Sequence, residues 1–189
     1  MNKKEKAVYN FLKQIIPESI LKQMDTKETL RRVVKAWDDM LQGYKENPQV
    51  ILSKKFKMDD TSSVPYVSTD MVLVKDIGFH SLCEHHLLPF FGKAAVGYFP
   101  KDRKVVGISK LVRLVDCFSK RLQIQERMTK QIAESLSEHS IGVGVHVEGI
   151  HMCMCMRGVR RESPTTTMSF NGIMQEPDKK NLFLQNIRR

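Results

Sequence analysis

Two short segments of the chain concentrate side chains that bind metal ions and move protons. The first is Cys83-Glu84-His85-His86, in which Cys83 and His86 have C-x-x-H spacing. One turn of chain with this spacing can present a thiolate and an imidazole to a single metal ion. A surface loop with a chance cysteine near two histidines would look the same, so the prediction depends on a second source of ligands.

The second segment is His151-Met152-Cys153-Met154-Cys155-Met156-Arg157, in which methionines alternate strictly with other residues. We predict a strand here, because alternation places the odd-numbered side chains on one face and the methionines on the other. The preceding valines, in the run 143–147, lie at odd positions, so we expect a β-bulge near Gly149 where the apolar face changes. A half-exposed strand with buried cysteines would show the same pattern.

Together the two segments supply three soft ligands, namely a Cys–His pair from the first and a cysteine from the second. Three protein ligands with an open fourth position are typical of a catalytic zinc ion, whereas structural zinc has four protein ligands. The remaining histidines, His85 and His151, would then lie beside the metal as proton-transfer groups.

Two further groups of residues suggest ligand binding, each with an ordinary structural alternative. Ser109 is a suitable N-cap for a helix, and Lys110 and Arg113 would lie on the same side of its first turn. Helix starts bind anions through free N–H groups, although a solvated basic helix start has the same composition. Glu126 could accept hydrogen bonds from guanine or form an exposed i,i+4 pair with Lys130.

The N-terminal third of the chain is predicted to be helical. Residues 1–24 indicate a weak helix broken at Pro17, and an apolar stripe at helical spacing indicates a stronger helix after Asp25. Asp25 precedes Glu28 by three residues, as a helix cap does. A polar stretch follows, and we predict a helical arm and loop over residues 1–63.

The remaining residues, 64–189, are predicted to form the catalytic body. Apolar and β-branched runs indicate strands, and periodic apolar spacing indicates helices. We place strands at 64–74, 90–99, 105–108 and 143–147, and helices from Ser109, at 124–138 and at 179–187. Strands joined by hairpin-length loops, with helices segregated from them, predict an α+β fold with an antiparallel sheet and helices packed on one face.

Composition narrows the class of partner. The chain has 189 residues, with 31 Lys and Arg against 21 Asp and Glu, and a formal net charge of +10. This surplus predicts an anionic partner, which could be nucleic acid, a membrane surface or a phosphorylated small molecule. No run of about 18 apolar residues is present, so we expect no membrane span. Four cysteines without an export signal indicate a reducing compartment, and we expect a cytoplasmic protein.

Four motifs, in order along residues 64–174, resemble those of the GTP cyclohydrolase I family, the zinc enzymes that open pteridine biosynthesis. They are SLCEHHLLPF at 81–90, GISKLVR at 107–113, RLQIQERMTKQI at 121–132 and HMCMCMRGV at 151–159. The resemblance implies one zinc ion per subunit, held by Cys83, His86 and Cys153, and catalytic acid–base histidines at His85 and His151. It also implies substrate-binding residues, with Glu126 and Gln125 on guanine, Ser109 near the ribose, and Lys110, Arg113 and Arg157 on the triphosphate.

The resemblance further implies the reaction and the assembly. Zinc-bound hydroxide would attack C8 of the guanine of GTP, and the histidines would move protons while the ring opens and recloses. The products would be formate and 7,8-dihydroneopterin triphosphate. The family's tunnelling fold joins sheets across a homo-oligomer, usually a decamer, with active sites between subunits.

Two alternatives remain at this stage. One is a related tunnelling-fold enzyme that acts on another purine or pterin. The other is a non-catalytic basic zinc module that binds nucleic acid, which the net charge favours. The chain has neither a paired C-x-x-C site nor aromatic residues interleaved with basic ones along a strand, so nucleic acid is the less favoured partner.

Overall fold

The computed structural model describes residues 1–57 and 70–188, and the chain divides into two compact units, Met1–Gln42 and Gly43–Arg189. The boundary that we predicted between residues 63 and 64 lies outside the described residues, as do residues 64–69 of the first predicted strand. Among the described residues, no helix has the length and apolar character needed to cross a membrane.

The N-terminal unit consists of helices, as its sequence predicts. Asn2 and Glu5 form a capping box at the first helix, each side chain bonding the backbone N–H of the other. Pro17 separates the first helix from the second. Asp25 caps the third by accepting the N–H of Glu28, which confirms the predicted cap. The three helices are α1 (Lys3–Ile15), α2 (Glu18–Leu21) and α3 (Thr26–Met40).

The second unit is built on a sheet. Its strands are β1 (Lys55–Lys57), β2 (Val72–Cys83), β3 (Pro89–Pro100), β4 (Lys104–Val106), β5 (Leu122–Gln123), β6 (Ser140–His151) and β7 (Thr165–Gly172). Five of them form one sheet in the order β5-β2-β3-β6-β7, and β1 pairs with β4 in a separate two-stranded sheet. All pairings are antiparallel except the short contact of β5 with β2. The predicted α+β class with an antiparallel sheet is confirmed.

The helices of this unit are α4 (Pro48–Leu52), α5 (Ile108–Ser119), α6 (Gln125–Ser137), α7 (Met152–Cys155) and α8 (Pro177–Ile187), with 3₁₀ turns at Gln42–Lys45 and Ile173–Gln175. Helices α5 and α6 pack their apolar stripes on one face of the five-stranded sheet. Alternate residues of β3 divide between the two faces, because successive side chains of a strand point in opposite directions. Ala94 and Val96 join the core under α5 and α6, whereas Ala95 and Phe99 pack with Phe183 of α8 on the other face.

The register of the sheet brings two strand ends together. Strands β2 and β6 both run antiparallel to β3, so they point in the same direction and end beside its start. Leu82 pairs with Pro89, and Phe90 pairs with His151. The edge of the sheet where β2 and β6 end is therefore the place where the two predicted metal-binding segments meet.

The bulge predicted near Gly149 was wrong. Gly149 pairs in regular register with Gly92, and β6 continues without a shift to His151. Register shifts occur elsewhere in the described sheet: in β2 between Val74 and Ile77, where Asp76 adopts a left-handed φ of 55°, and at the far end of the β3–β6 pair, between Phe99 and Pro100. His151 therefore stays on the face of the valines at 143–147, and the apolar face never changes sides.

Candidate active site

A cavity of about 230 Å³ opens where β2 and β6 end and α6 begins. Its lining contains seven of the residues singled out from the sequence: Cys83, His85, His86, Gln125, Glu126, His151 and Cys153. Residues from three separate stretches of chain thus converge on one space. The fold brings together the predicted metal ligands, the predicted acid–base histidines and the predicted guanine-binding pair.

The first ligand segment lies in a tight turn between β2 and β3. Cys83 is the last residue of β2, and its backbone N–H donates to the carbonyl of Leu88 at 2.9 Å. The N–H of Leu87 donates back to the carbonyl of Cys83 at 2.8 Å, with Leu87 in the left-handed region at φ 55°. This turn folds the chain so that Cys83 and His86 point to the same place.

The strand predicted over residues 151–157 was wrong beyond His151. Residues Met152–Cys155 form the single helical turn α7, and the N–H of Met156 donates to the carbonyl of Met152 at 2.9 Å. Strict alternation of residue types is compatible with a turn as well as a strand when the segment is so short. The turn separates Cys153, which lines the cavity, from Cys155, which does not belong to the ligand cluster.

Cys83, His86 and Cys153 form a cluster in which one ligand atom from each lies within 4.8 Å of the other two. The Cys83 sulfur lies 3.9 Å from Nδ1 of His86 and 3.8 Å from Nδ1 of His85. Ligand atoms about 2.0–2.3 Å from a tetrahedral zinc ion are separated by comparable distances. Burial and the neighbouring Cys83 sulfur raise the pKa of the Cys153 thiol, a cost that a divalent cation would reverse. The donor set therefore fits zinc.

An ion pair ties the ligand turn to α6. The Arg127 guanidinium donates to the carboxylate of Glu84, and this pairing lowers the pKa of Glu84. The same guanidinium donates to the side chain of Gln123 and the carbonyl of Leu122, both at 3.1 Å. The residue between Cys83 and His85 is thereby fixed against the start of the helix that carries Glu126.

Two contacts hold the ring of His151. It stacks on Phe90, with ring centroids 4.5 Å apart and planes 3° from parallel. Its Nε2 lies 2.8 Å from Oε1 of Gln125. Burial lowers the pKa of His151, and the nearby Glu126 carboxylate offsets part of this effect, so the neutral ring is favoured near pH 7.

The Gln125 side chain is fully engaged by the protein. Only 1% of the residue is exposed, and its Nε2 lies within hydrogen-bonding distance of three acceptors. The acceptors are the carbonyls of Val147 and Thr165 and the hydroxyl of Thr167. Glu126 is therefore the member of the predicted guanine-binding pair whose side chain is available to a ligand.

The predicted triphosphate and ribose ligands divide into two places. Nη1 of Arg157 lies 3.2 Å from Nε2 of His86, beside the metal-ligand cluster. Ser109, Lys110 and Arg113 lie on α5 and do not line this cavity. Ser109 was expected to cap α5, but the cap is Gly107, which supplies no side-chain hydrogen bond, and Ser109 lies inside the helix. Ser109 and Arg113 are exposed.

Sequence reasoning missed two residues that organise the site. One is Arg127, which braces the ligand turn, and the other is Thr167, which holds the Gln125 amide. The sequence identifies the motif that contains Gln125 and Arg127, but it does not identify the hydrogen-bond partners of these two side chains, such as Thr167 and Glu84. Their partners come from other strands and loops, so no local spacing indicated them.

A cleft that combines a Cys₂His cluster, two histidines and a carboxylate is typical of metal-dependent hydrolases, in which water is activated beside acid–base groups. A family model described as GTP cyclohydrolase I matches residues 4–188. The chain belongs to the GTP cyclohydrolase I family.

Curated relatives support the same assignment over most of the chain. A protein of Campylobacter lari named GTP cyclohydrolase 1 is 48% identical over 87% of this chain and 83% of its own. Proteins with that name from Wolinella succinogenes and Porphyromonas gingivalis are 46% and 47% identical, covering 85% and 86% of this chain and 84% and 81% of their own. The crystal structure of an archaeosine synthase QueF-Like in the apo form matches 56% of this chain and 96% of its own at 18% identity, with a TM-score of 0.39 that supports no conclusion.

Proposed function

We propose that the chain hydrolyses and rearranges GTP to 7,8-dihydroneopterin triphosphate, with C8 of guanine released as formate. The observation that carries the proposal is the convergence of the Cys₂His cluster, His85, His151 and Glu126 on one cavity. Membership of the GTP cyclohydrolase I family supports the choice of substrate. The four free thiols agree with a reducing compartment, and we propose the cytoplasm as the location.

Cys83, His86 and Cys153 are the residues that would hold one zinc ion in each chain. When bound, zinc would supply Lewis acidity that makes water a nucleophile near pH 7, because it lowers the pKa of that water to about 7. The three ligands leave a fourth position open in the tetrahedral arrangement that zinc prefers. The adjoining cavity is the space in which guanine would lie.

The chain's own side chains supply recognition and proton transfer. The Glu126 carboxylate accepts hydrogen bonds from N1–H and the 2-amino group of guanine, an edge that adenine lacks. His85 lies at the ligand cluster and donates a proton to N7, which makes C8 more electrophilic. His151 exchanges protons in the later steps, when the formyl group leaves and the ring recloses.

We further propose that the active site is completed by a second copy of the chain in a homo-oligomer, for which a decamer is the expected form. Arg157 lies beside the cluster and takes part of the triphosphate from the same chain. Ser109, Lys110 and Arg113 do not line this chain's cavity, and we assign them to the cavity of a neighbour. Arg113 is exposed and Lys110 is partly exposed on α5, so both cations would be suited to that role.

Incubation of zinc-replete protein with GTP tests the proposal. We expect formate and, after oxidation, a fluorescent pterin, and no formate from ATP. Replacement of Glu126 by Gln is expected to lower kcat/KM for GTP by roughly 10–100-fold, because charge-assisted hydrogen bonds to guanine are lost. Glu134→Gln, on the exposed part of the same helix, is the matched control. Protein with measured zinc that releases no formate from GTP would contradict the proposed function.

A further inference from the structure

The side-chain amide of Gln125 can adopt only one orientation. Its nitrogen lies 3.2 Å from the carbonyl oxygen of Val147 and 2.8 Å from that of Thr165. Carbonyl oxygens only accept hydrogen bonds, so exchanging the amide oxygen and nitrogen would place three acceptors against one another at a buried position. Oε1 of Gln125 must therefore be the atom that contacts His151.

The hydroxyl groups around this amide have a defined direction as well. Thr129 donates its hydroxyl proton to the backbone carbonyl of Gln125 at 2.8 Å. The hydroxyl oxygens of Thr129 and Thr167 lie 2.6 Å apart, so Thr167 donates to Thr129. The Thr167 oxygen is then free to accept from Nε2 of Gln125 at 3.2 Å. The two N–H groups of the Gln125 amide thus meet three acceptors, so one of them is shared between two acceptors, and these bonds fix the orientation of the amide.

This orientation determines which nitrogen of His151 carries a proton. Oε1 of Gln125 is an acceptor only, so Nε2 of His151, at 2.8 Å, must be the donor. In a neutral imidazole, a proton on Nε2 leaves Nδ1 bare. Stacking on Phe90 keeps the ring in the plane that this hydrogen bond requires. Within residues 1–57 and 70–188, the structure gives Nδ1 no hydrogen-bond partner.

We propose that Gln125 is a positioning residue that holds His151 as the Nε2–H tautomer, so that Nδ1 is the nitrogen that exchanges a proton with the substrate. The proposal rests on the proposed function, because it is that reaction which needs a proton exchanged at His151. It assigns the side chain of Gln125 to the protein and leaves guanine recognition to Glu126.

The backbone at Gly149 provides room for this arrangement. A Cβ atom at this position would lie 2.9 Å from Oε1 of Gln125 and 3.3 Å from the ring of Phe79. A larger residue would therefore push the acceptor away from His151. Glycine on β6 thus keeps the amide oxygen at hydrogen-bonding distance from a histidine at the end of the same strand.

The tautomer is measured by NMR of protein labelled with ¹⁵N-histidine, since protonated and bare ring nitrogens resonate far apart. The zinc-loaded protein is used, and a His151→Asn variant assigns the His151 signals. In the wild type we expect a protonated Nε2 and a bare Nδ1 at His151. In Gln125→Met we expect a mixture of tautomers, a kcat for GTP lower on the order of 10²-fold, and a KM within about threefold of the wild type.

Two further variants separate positioning from a loss of structure. Gln125→Glu can take the place of the amide as a protonated carboxyl, whose O–H donates to the carbonyl of Thr165 while its other oxygen accepts the Nε2 proton of His151. In this form it is expected to restore the wild-type tautomer and more of kcat than Gln125→Met. Gln49→Met removes a similar contact, in which Oε1 of Gln49 lies 3.1 Å from Nε2 of His139. This control is expected to leave the His151 signals and kcat unchanged. If Gln125→Met fails to fold, the wild-type spectrum and Gln125→Glu still decide the question.

A bare Nε2 at His151 in the wild type would overturn the proposal. So would a Gln125→Met variant that keeps the wild-type tautomer and loses affinity for GTP, because Gln125 would then be a substrate ligand. Wild-type protein that shows the expected tautomer and releases no formate from GTP would leave the positioning role standing and contradict the proposed function. Formate release together with a bare Nε2 would contradict the positioning role and leave the proposed function standing.

Discussion

At the residue scale, the site distinguishes between neighbours that look equivalent in the sequence. Cys153 and Cys155 lie two positions apart on the short turn α7, and both are partly exposed. Only Cys153 belongs to the ligand cluster with Cys83 and His86. The adjacent histidines differ in the same respect, because His86 belongs to that cluster and His85 does not. Each pair therefore offers a control beside the residue under test.

Replacement of Cys153 by alanine is expected to abolish tight zinc binding, because two ligands remain where three are needed. Cys155→Ala, a change of the same size on the same turn, is expected to keep about one zinc per chain. Metal content after dialysis against a weak chelator measures the difference. Full zinc occupancy in Cys153→Ala would contradict the ligand assignment, as would equal losses in both variants.

Residue types indicated which cysteines and histidines the fold brings together, but they did not indicate how the second segment folds. The spacing of Cys83 and His86 is local, so one turn satisfies it and the sequence predicts it. The alternation after His151 indicated a strand, whereas the chain forms a helical turn there. The hydrogen-bond partners of Gln125 were missed because they lie 22 to 42 residues away in the sequence.

At the element scale, the site depends on the turn after β2, which is stabilised by a contact from helix α6. The turn after β2 carries two of the ligands and contains a non-glycine residue, Leu87, in the left-handed region. Such a conformation costs about 1–2 kcal/mol, so neighbouring contacts must offset it. The ion pair of Glu84 with Arg127 supplies one such contact from the first turn of α6. Helix α6 therefore braces the turn that carries Cys83 and His86, and it also carries Glu126.

Replacement of Arg127 by methionine is expected to weaken zinc affinity on the order of tenfold, because groups that orient metal ligands have effects of that size. Titration with a competing chelator measures the affinity. Lys130→Met is the control, since Lys130 forms an exposed pair with Glu134 on the same helix. An unchanged zinc affinity in Arg127→Met would show that the ligand turn holds its shape without the ion pair.

At the scale of the whole molecule, the cations that were predicted to bind the triphosphate lie on two separate parts of the chain. Arg157 contacts His86 of the ligand cluster, whereas Lys110 and Arg113 lie on α5 and do not line the cavity. Net charge alone favoured nucleic acid as strongly as a nucleotide. The separation of these cations is the reason that we propose a triphosphate bound by cations from more than one chain. The class of fold followed from the order of elements, but assembly does not follow from the pattern of a single chain.

A mixing experiment tests the shared site. Lys110→Ala and Cys153→Ala are each expected to be nearly inactive on GTP as pure proteins. When the two are dissociated and reassembled together, cavities that combine an intact ligand cluster with an intact α5 are expected to recover roughly a quarter of wild-type activity. Sedimentation before and after mixing verifies assembly. Reassembled mixed oligomers with no recovery would show that Lys110 acts within its own chain.

The ligand cluster also has a topological consequence. Cys83 and Cys153 are about 70 residues apart, and the segment between them contains β3, α5, α6 and β6. An ion bound by both would close this segment into a loop, and a covalent cross-link of that span restricts the unfolded chain by on the order of 4 kcal/mol. The cross-link would persist where disulfides are reduced, and its strength would follow the supply of metal. Starvation for zinc would then remove the reaction and loosen the chain at the same time.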